Sequence, residues 1–154
     1  MPAFRFSLQK VLEVRQESEL QQAKKLAFAQ TEADVARRVK ADLNAVCEAG
    51  IARLAQAHGA GGSVGHLQNL AYVVSRVEEQ VGEADAACRE ADGRVSTQLR
   101  SFHEAFIQRK SLDHLKERQF NRWRSEEVLD ERKTLDEVAL VRHARLGLDG
   151  WGVT

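Results

Sequence analysis

Proline is nearly missing from this sequence; its single copy, Pro2, lies outside any helical pattern. No long segment therefore carries the residue that breaks a helix from within. Aromatic residues make up only 6% against 30% charged residues, a balance that argues against a round globular domain. Two cysteines, Cys47 and Cys88, are too few for a disulfide framework or a four-ligand metal set. The formal net charge is zero, so no overall basic field points to nucleic acid. No run approaches the ~18 apolar residues of a membrane span. The start, "MPAFRFSLQKVLEV", lacks the apolar core and small-residue cleavage site of a signal peptide. The expectation is a soluble cytosolic chain without direct membrane insertion.

What is present is a surplus of Ala, Glu, Leu, Arg, Gln and Val, the profile of long helices or coiled coils. One strong break occurs, "HGAGGSVG" at 58–65, with four glycines in eight residues. Each glycine costs a helix about 1 kcal/mol relative to alanine. On both sides the pattern is helical, with no period-two alternation. The chain is expected to be all-α, a single elongated coiled-coil domain over 1–154. Its parts would be a helix at about 4–57, a loop at 58–65, a helix at about 66–146 and a flexible tail at 147–154. At 1.5 Å per residue the helices would run ~80 and ~120 Å.

From Leu67 onward, every third and fourth residue in alternation is Leu70, Val74, Val77, Val81, Ala84, Cys88, Ala91, Val95, Gln98, Phe102 and Ala105. Only Gln98 is polar. Such spacing over five heptads is a coiled-coil seam. The first helix offers Leu26, Ala29, Ala33, Ala36, Lys40, Leu43, Cys47, Gly50, Leu54 and Ala57 at the same spacing. Nearer its start Leu8 and Leu12 belong to the stripe, while Arg15, Glu19 and Gln22 interrupt it. A short glycine loop makes consecutive helices antiparallel neighbours, and facing residue numbers then add to roughly 123. Cys47 and Cys88 would stand ~18 Å out of register. Everything after about Phe120 would lack an intramolecular partner and project as a single helix, made adhesive by Trp123, Leu129, Leu135, Val138 and Ala139. A lone helix is marginal in water unless something packs on it, so the architecture calls for partners.

Charge is arranged along the hairpin. Residues 78–92 hold six acids and one base, while "KERQFNRWR" at 116–124 holds four bases and one acid. With the bases of the first 25 residues this makes a basic open end and a more acidic loop half, which steers two different partners or merely solvates helix faces. Signals of chemistry are absent. "GAGGSVG" lacks the Lys-Ser/Thr that closes a phosphate loop. His103 and His114 stand ~16 Å apart along the helix, too far for one metal. His58 and His66 lack a third ligand. Acids at Glu126, Glu127, Asp130 and Glu131 follow the basic stretch directly and would repel a nucleic-acid backbone or an anionic membrane. No enzyme activity, cofactor or metal is expected.

Particular residues carry a family resemblance. Phe4-x-Phe6-x-Leu8-x-x-Val11-Leu12-x-x-Arg15, followed by Glu19 and Leu26-Ala27, resembles the amino-terminal pattern of the FliJ family of flagellar protein-export components. Leu112-x-x-Leu115-x-x-Arg118 and Arg132-Lys133-x-Leu135-Asp136-Glu137-x-Ala139-x-x-Arg142 are similar to its carboxy-terminal pattern. The resemblance implies a non-catalytic stalk whose paired ends enter the pore of the hexameric export ATPase. The remainder would meet the cytoplasmic domain of the export gate, and export chaperones would be further partners. The ATPase contact would then fall on Phe4, Phe6, Arg15, Arg118, Arg122, Trp123, Arg124, Lys133, Leu135, Asp136, Glu137 and Arg142. The gate contact, matched by position, would fall on Leu70, Val74, Val77 and Val81, where the family includes aromatic and polar residues and this chain is aliphatic. The implied place is the cytoplasm, peripheral to the inner membrane when assembled, and the chain alone would be a monomer. Two alternatives stay open at this point, the equivalent stalk of a virulence injectisome and an unrelated oligomeric coiled-coil scaffold.

Overall fold

The computed structural model describes residues 3–149. Two helices, α1 (Gln9–Gly59) and α2 (Val64–Asp149), pack against each other as a helical hairpin, with no strand among the described residues. Contacts divide the chain into two units, Glu17–Phe106 and the pair of segments that flank it.

The loop is tighter than the expected 58–65, because Gly59 and Gly65 are helical and the other two glycines form the cap of α1. Gly61 has φ +71°, the left-handed conformation that ends a helix most cheaply when no Cβ is present. Beyond it the Gly62 N–H donates to the Ala57 carbonyl at 3.3 Å, and the Ala60 N–H to that of Gln56 at 3.0 Å. Ser63 then opens α2, its Oγ accepting from the His66 N–H at 3.3 Å, which is a serine N-cap on the third residue of the helix. Between the two helices only residues 60–63 are non-helical, and Gly59 and Gly65 are helical.

The first helix begins at Gln9 rather than near Phe4. Residues two apart point about 200° away from each other on a helix, so a helical start could not turn both Phe4 and Phe6 inward. A non-helical segment followed by a turn at 7–8 does so, and Phe6 is buried. At the other end α2 continues through 147–149, past the expected boundary at 146; the remainder of the expected tail lies outside the described residues.

Within Glu17–Phe106 the seam is the one the 3,4 spacing predicts. Ala29, Ala33, Val74, Ala84, Cys88, Ala91 and Ala105 are buried, and the other seam positions from Leu26 to Ala57 and from Leu67 to Phe102 are half-buried. Small residues let the backbones close in. A Cβ added to Gly50 would lie 3.1 Å from Val74 Cγ2. Facing numbers here add to about 125, as in Lys40–Asp85 and Glu32–Arg94, two beyond the value read from the spacing. Cys88 is buried and Cys47 half-buried, and both are free thiols. In the flanking unit Leu12 is only 2% exposed, whereas Leu8, expected on the seam, is on the surface at 36% because it lies in the turn before α1.

The cap assigns opposite effects to two neighbouring glycines. Gly61→Ala should destabilise the hairpin by about 1 kcal/mol, the penalty of a left-handed residue with a Cβ. Gly59→Ala, in a helix and with open space around its Cβ, should stabilise it by about 0.5–1 kcal/mol. Thermal melts followed by circular dichroism read both; equal shifts would contradict the cap.

Candidate functional site

Two surfaces offer binding chemistry, one in each unit. The first is built around the chain's start. Phe4 meets Phe120 edge-on with centroids 5.3 Å apart and lies 6.0 Å from Trp123, and Phe120 and Trp123 are 5.8 Å apart. The three rings form an aromatic clamp that fastens the non-helical start to α2. Lys116 Nζ donates to Gln9 Oε1 at 2.9 Å, and Arg15 donates to Gln108 Oε1 at 2.6 Å. Arg15, which interrupts the apolar stripe, is thereby paired across the helices. Expected to be part of the bare helix, Trp123 is half-buried in this clamp instead, so the unpaired length of α2 starts at about Arg124.

From there α2 has no helix beside it in its unit. Residues 128–147 are all exposed, with Leu135 at 68% and Leu146 at 74%. Arg118 and Arg122 edge one shallow groove with Leu115 and Gln119, and Arg124 and Arg132 edge another with Val128 and Leu129. Lys133 pairs with Asp130 at 3.7 Å on the same helix. Leu135, Asp136, Glu137 and Arg142 are presented to solvent. Basic, aliphatic and acidic groups thus alternate along one exposed helix, a surface suited to docking and not to covalent chemistry.

The second surface lies in the loop half. Val74 is only 7% exposed, and Leu70, Val77 and Val81 are half-buried, since all four are seam residues that face α1. Three of them, Leu70, Val74 and Val77, also line a groove of about 270 Å³ with Val46, Gly50 and Val73. Tyr72 and Val73 are more exposed than any of the four, at 67% and 55%. Seam spacing passes over them because it selects what faces the partner helix; apolar residues at non-seam positions are the signal that finds them.

Lys40 Nζ lies 2.6 Å from Asp85 Oδ1. Through that hydrogen bond and the opposite charge, Asp85 titrates below its ordinary range and Lys40 above its own. Both shifts keep the pair ionised across neutral pH. Among the described residues no group of three or more His, Cys, Asp or Glu side chains is placed to hold a metal ion. Among the described residues no helix is long and apolar enough to cross a membrane.

Of the known families, that of the flagellar FliJ protein matches residues 4–147, almost the whole chain. The chain belongs to the FliJ family. FliJ proteins are non-catalytic components, and membership gives this one a role related to flagellar export. No curated protein and no solved structure matches it. The family match includes both the aromatic clamp and the exposed part of α2, the two features that set the terminal unit of this FliJ chain apart from a plain hairpin.

Phe4→Ala should open the clamp. In a Trp151→Phe background, emission from Trp123 should shift to the red and stability should fall by about 2 kcal/mol, from lost burial and ring contact. An unchanged spectrum would show that the rings do not hold the chain's start.

Proposed function

We propose that this FliJ chain is a stalk between two partners of the flagellar export apparatus. Its terminal unit binds the hexameric export ATPase, and its loop half binds the cytoplasmic domain of the export gate. ATP hydrolysis and export are coupled through the hairpin, and export chaperones are further clients. It acts in the cytoplasm, peripheral to the inner membrane when assembled. The observation that carries this reading is the unpaired part of α2, more than twenty residues whose apolar and basic side chains have no covering element in their unit. A lone amphipathic helix gains stability only from something that packs on it.

The proposed ATPase contact uses Arg118, Arg122, Arg124, Lys133, Leu135, Asp136, Glu137 and Arg142, with Phe4, Phe6, Arg15 and Trp123 holding the base of that helix. The proposed gate contact uses Leu70, Val74, Val77 and Val81 through the groove edge, since Val74 itself is buried.

Deleting 125–154 leaves the clamp and the seam intact, so circular dichroism should still show a folded hairpin. Stimulation of ATP hydrolysis by the export ATPase should be lost. For the full chain stimulation should weaken as salt rises, because exposed charge contacts are screened within about 8 Å at physiological ionic strength. Equal stimulation by both forms would move the contact to the N-terminal arm around Phe4, Phe6 and Arg15.

A further inference from the structure

Gln98 is the one polar residue on the apolar stripe of α2, and its side-chain Oε1 is buried without a hydrogen-bond partner. Native chains carry few such groups, because an acceptor taken out of water with nothing to bond weakens the fold. A leucine would serve the seam better, so the amide calls for a reason outside the seam.

Gln98 lines an open recess of about 400 Å³ between the helices. Ala29, a small residue of the α1 seam, lines it too, and Lys24, Lys25 and Phe28 line it from α1 positions off the seam. Phe28 is 66% exposed in a chain where aromatic residues are scarce. Binding recesses combine apolar walls with a few polar groups that fix the occupant's orientation, and Phe28 with Ala29 supplies the apolar part.

Charge in the recess is unbalanced. Its one acid, Glu32, lies 3.7 Å from Arg94. Glu17, one turn before the recess, accepts from Gln21 Nε2 at 2.8 Å. Glu90 and Glu104 on α2 lie outside the lining and pair with neither lysine. Lys24 and Lys25, both exposed, have no ion pair or hydrogen bond among the described residues. Two ammonium groups are thus left to carboxylates from elsewhere. The Gln98 amide suits backbone groups, which an extended segment leaves free and a helix bonds internally.

We propose that this recess docks an extended acidic segment of a partner, which sets carboxylates against Lys24 and Lys25, lays an aromatic ring on Phe28 and bonds the Gln98 amide through its backbone. None of these residues belongs to the contacts proposed above for the ATPase or the gate, so the inference stands apart from that reading.

The probe is a labelled peptide, Gly-Ser-Asp-Glu-Phe-Glu-Asp-Ser-Gly, with one twin carrying Lys at the acidic positions and another carrying Ala for Phe. Fluorescence anisotropy with the full chain should show the acidic peptide binding at least tenfold tighter than its Lys twin, and less tightly as salt rises. Lys24→Glu with Lys25→Glu, at exposed positions, should reverse that preference. Phe28→Ala should erase the advantage of the acidic peptide over its Ala twin. Gln98→Leu should raise the melting temperature, since an apolar residue completes the seam, and yet weaken the peptide at least threefold. A residue that served the seam alone would move only the melting temperature. Arg38→Glu with Arg145→Glu, the same charge change at residues that do not line the recess, should leave binding unchanged.

No binding of the acidic peptide, equal binding of the Lys twin, or binding unmoved by Phe28→Ala or Gln98→Leu in chains that circular dichroism shows folded would overturn the proposal. So would a loss through Arg38→Glu with Arg145→Glu, which would reduce the attraction to overall charge. A dimer in sedimentation that Lys24→Glu with Lys25→Glu dissolves would overturn it as well. The occupant would then be residues 126–131 of a second copy, four acids around Val128 and Leu129.

Discussion

Close contact between an alanine-rich face of α1 and a valine- and alanine-rich face of α2 is what the rest of this molecule depends on. Ala33 and Ala91 are each only 1% exposed, and Gly50 admits Val74 within van der Waals range. Small side chains bury little area each, at about 25 cal/mol per Å², so the seam must be long to be stable. That requirement explains the length of the helices and the scarcity of anything able to interrupt them.

Small residues also specify register poorly, because one alanine fits where another did. Polar groups supply the missing specificity. Lys40 at a seam position finds Asp85, and Arg37 and Glu32 find Asp92 and Arg94. Exposed pairs of this kind add little stability each. A slip of one heptad would still offer Lys40 a carboxylate, Glu78 or Asp92, but would set Glu32 beside Ala87 or Ser101 in place of Arg94, so the register is favoured by the set of pairs and not by Lys40 alone. Gln98 extends the theme at a cost, since its side-chain carbonyl oxygen is buried without a hydrogen-bond partner.

Much of this was legible in the residues themselves. A strict 3,4 spacing from Leu67 to Ala105 reports burial directly, because only one stripe of a two-helix hairpin is covered, and the register came within two residues for the same reason. Glycine content makes the loop look longer than it is, since it does not distinguish a residue used as a left-handed cap, Gly61, from helical neighbours such as Gly59 and Gly65. The helical pattern runs on over Phe4 and Phe6, whose inward turn depends on rings more than a hundred residues away, so periodicity alone does not show that α1 starts only at Gln9. The bare stretch of α2 follows from residue numbers set against the register, but Trp123 falls within that count because its contact with Phe4 leaves no periodic trace. At the docking surfaces the sequence pointed to seam residues, and the exposed apolar residues off the seam, Phe28, Tyr72 and Val73, emerged only once the buried side of each helix was known.

An intramolecular antiparallel seam in one fixed register is the claim on which the unpaired end, the clamp and the recess beside Gln98 all stand. Cysteine pairs test it most directly, in a chain carrying Cys47→Ser and Cys88→Ser. Ala33→Cys with Ala91→Cys occupies the same facing relation as Gly50 and Val74 and should be oxidised rapidly to a monomeric disulfide. Ala33→Cys with Ala84→Cys, one heptad or about 10 Å out of register, should stay reduced. Efficient monomeric crosslinking of the shifted pair, or crosslinks that form only between chains, would contradict the account.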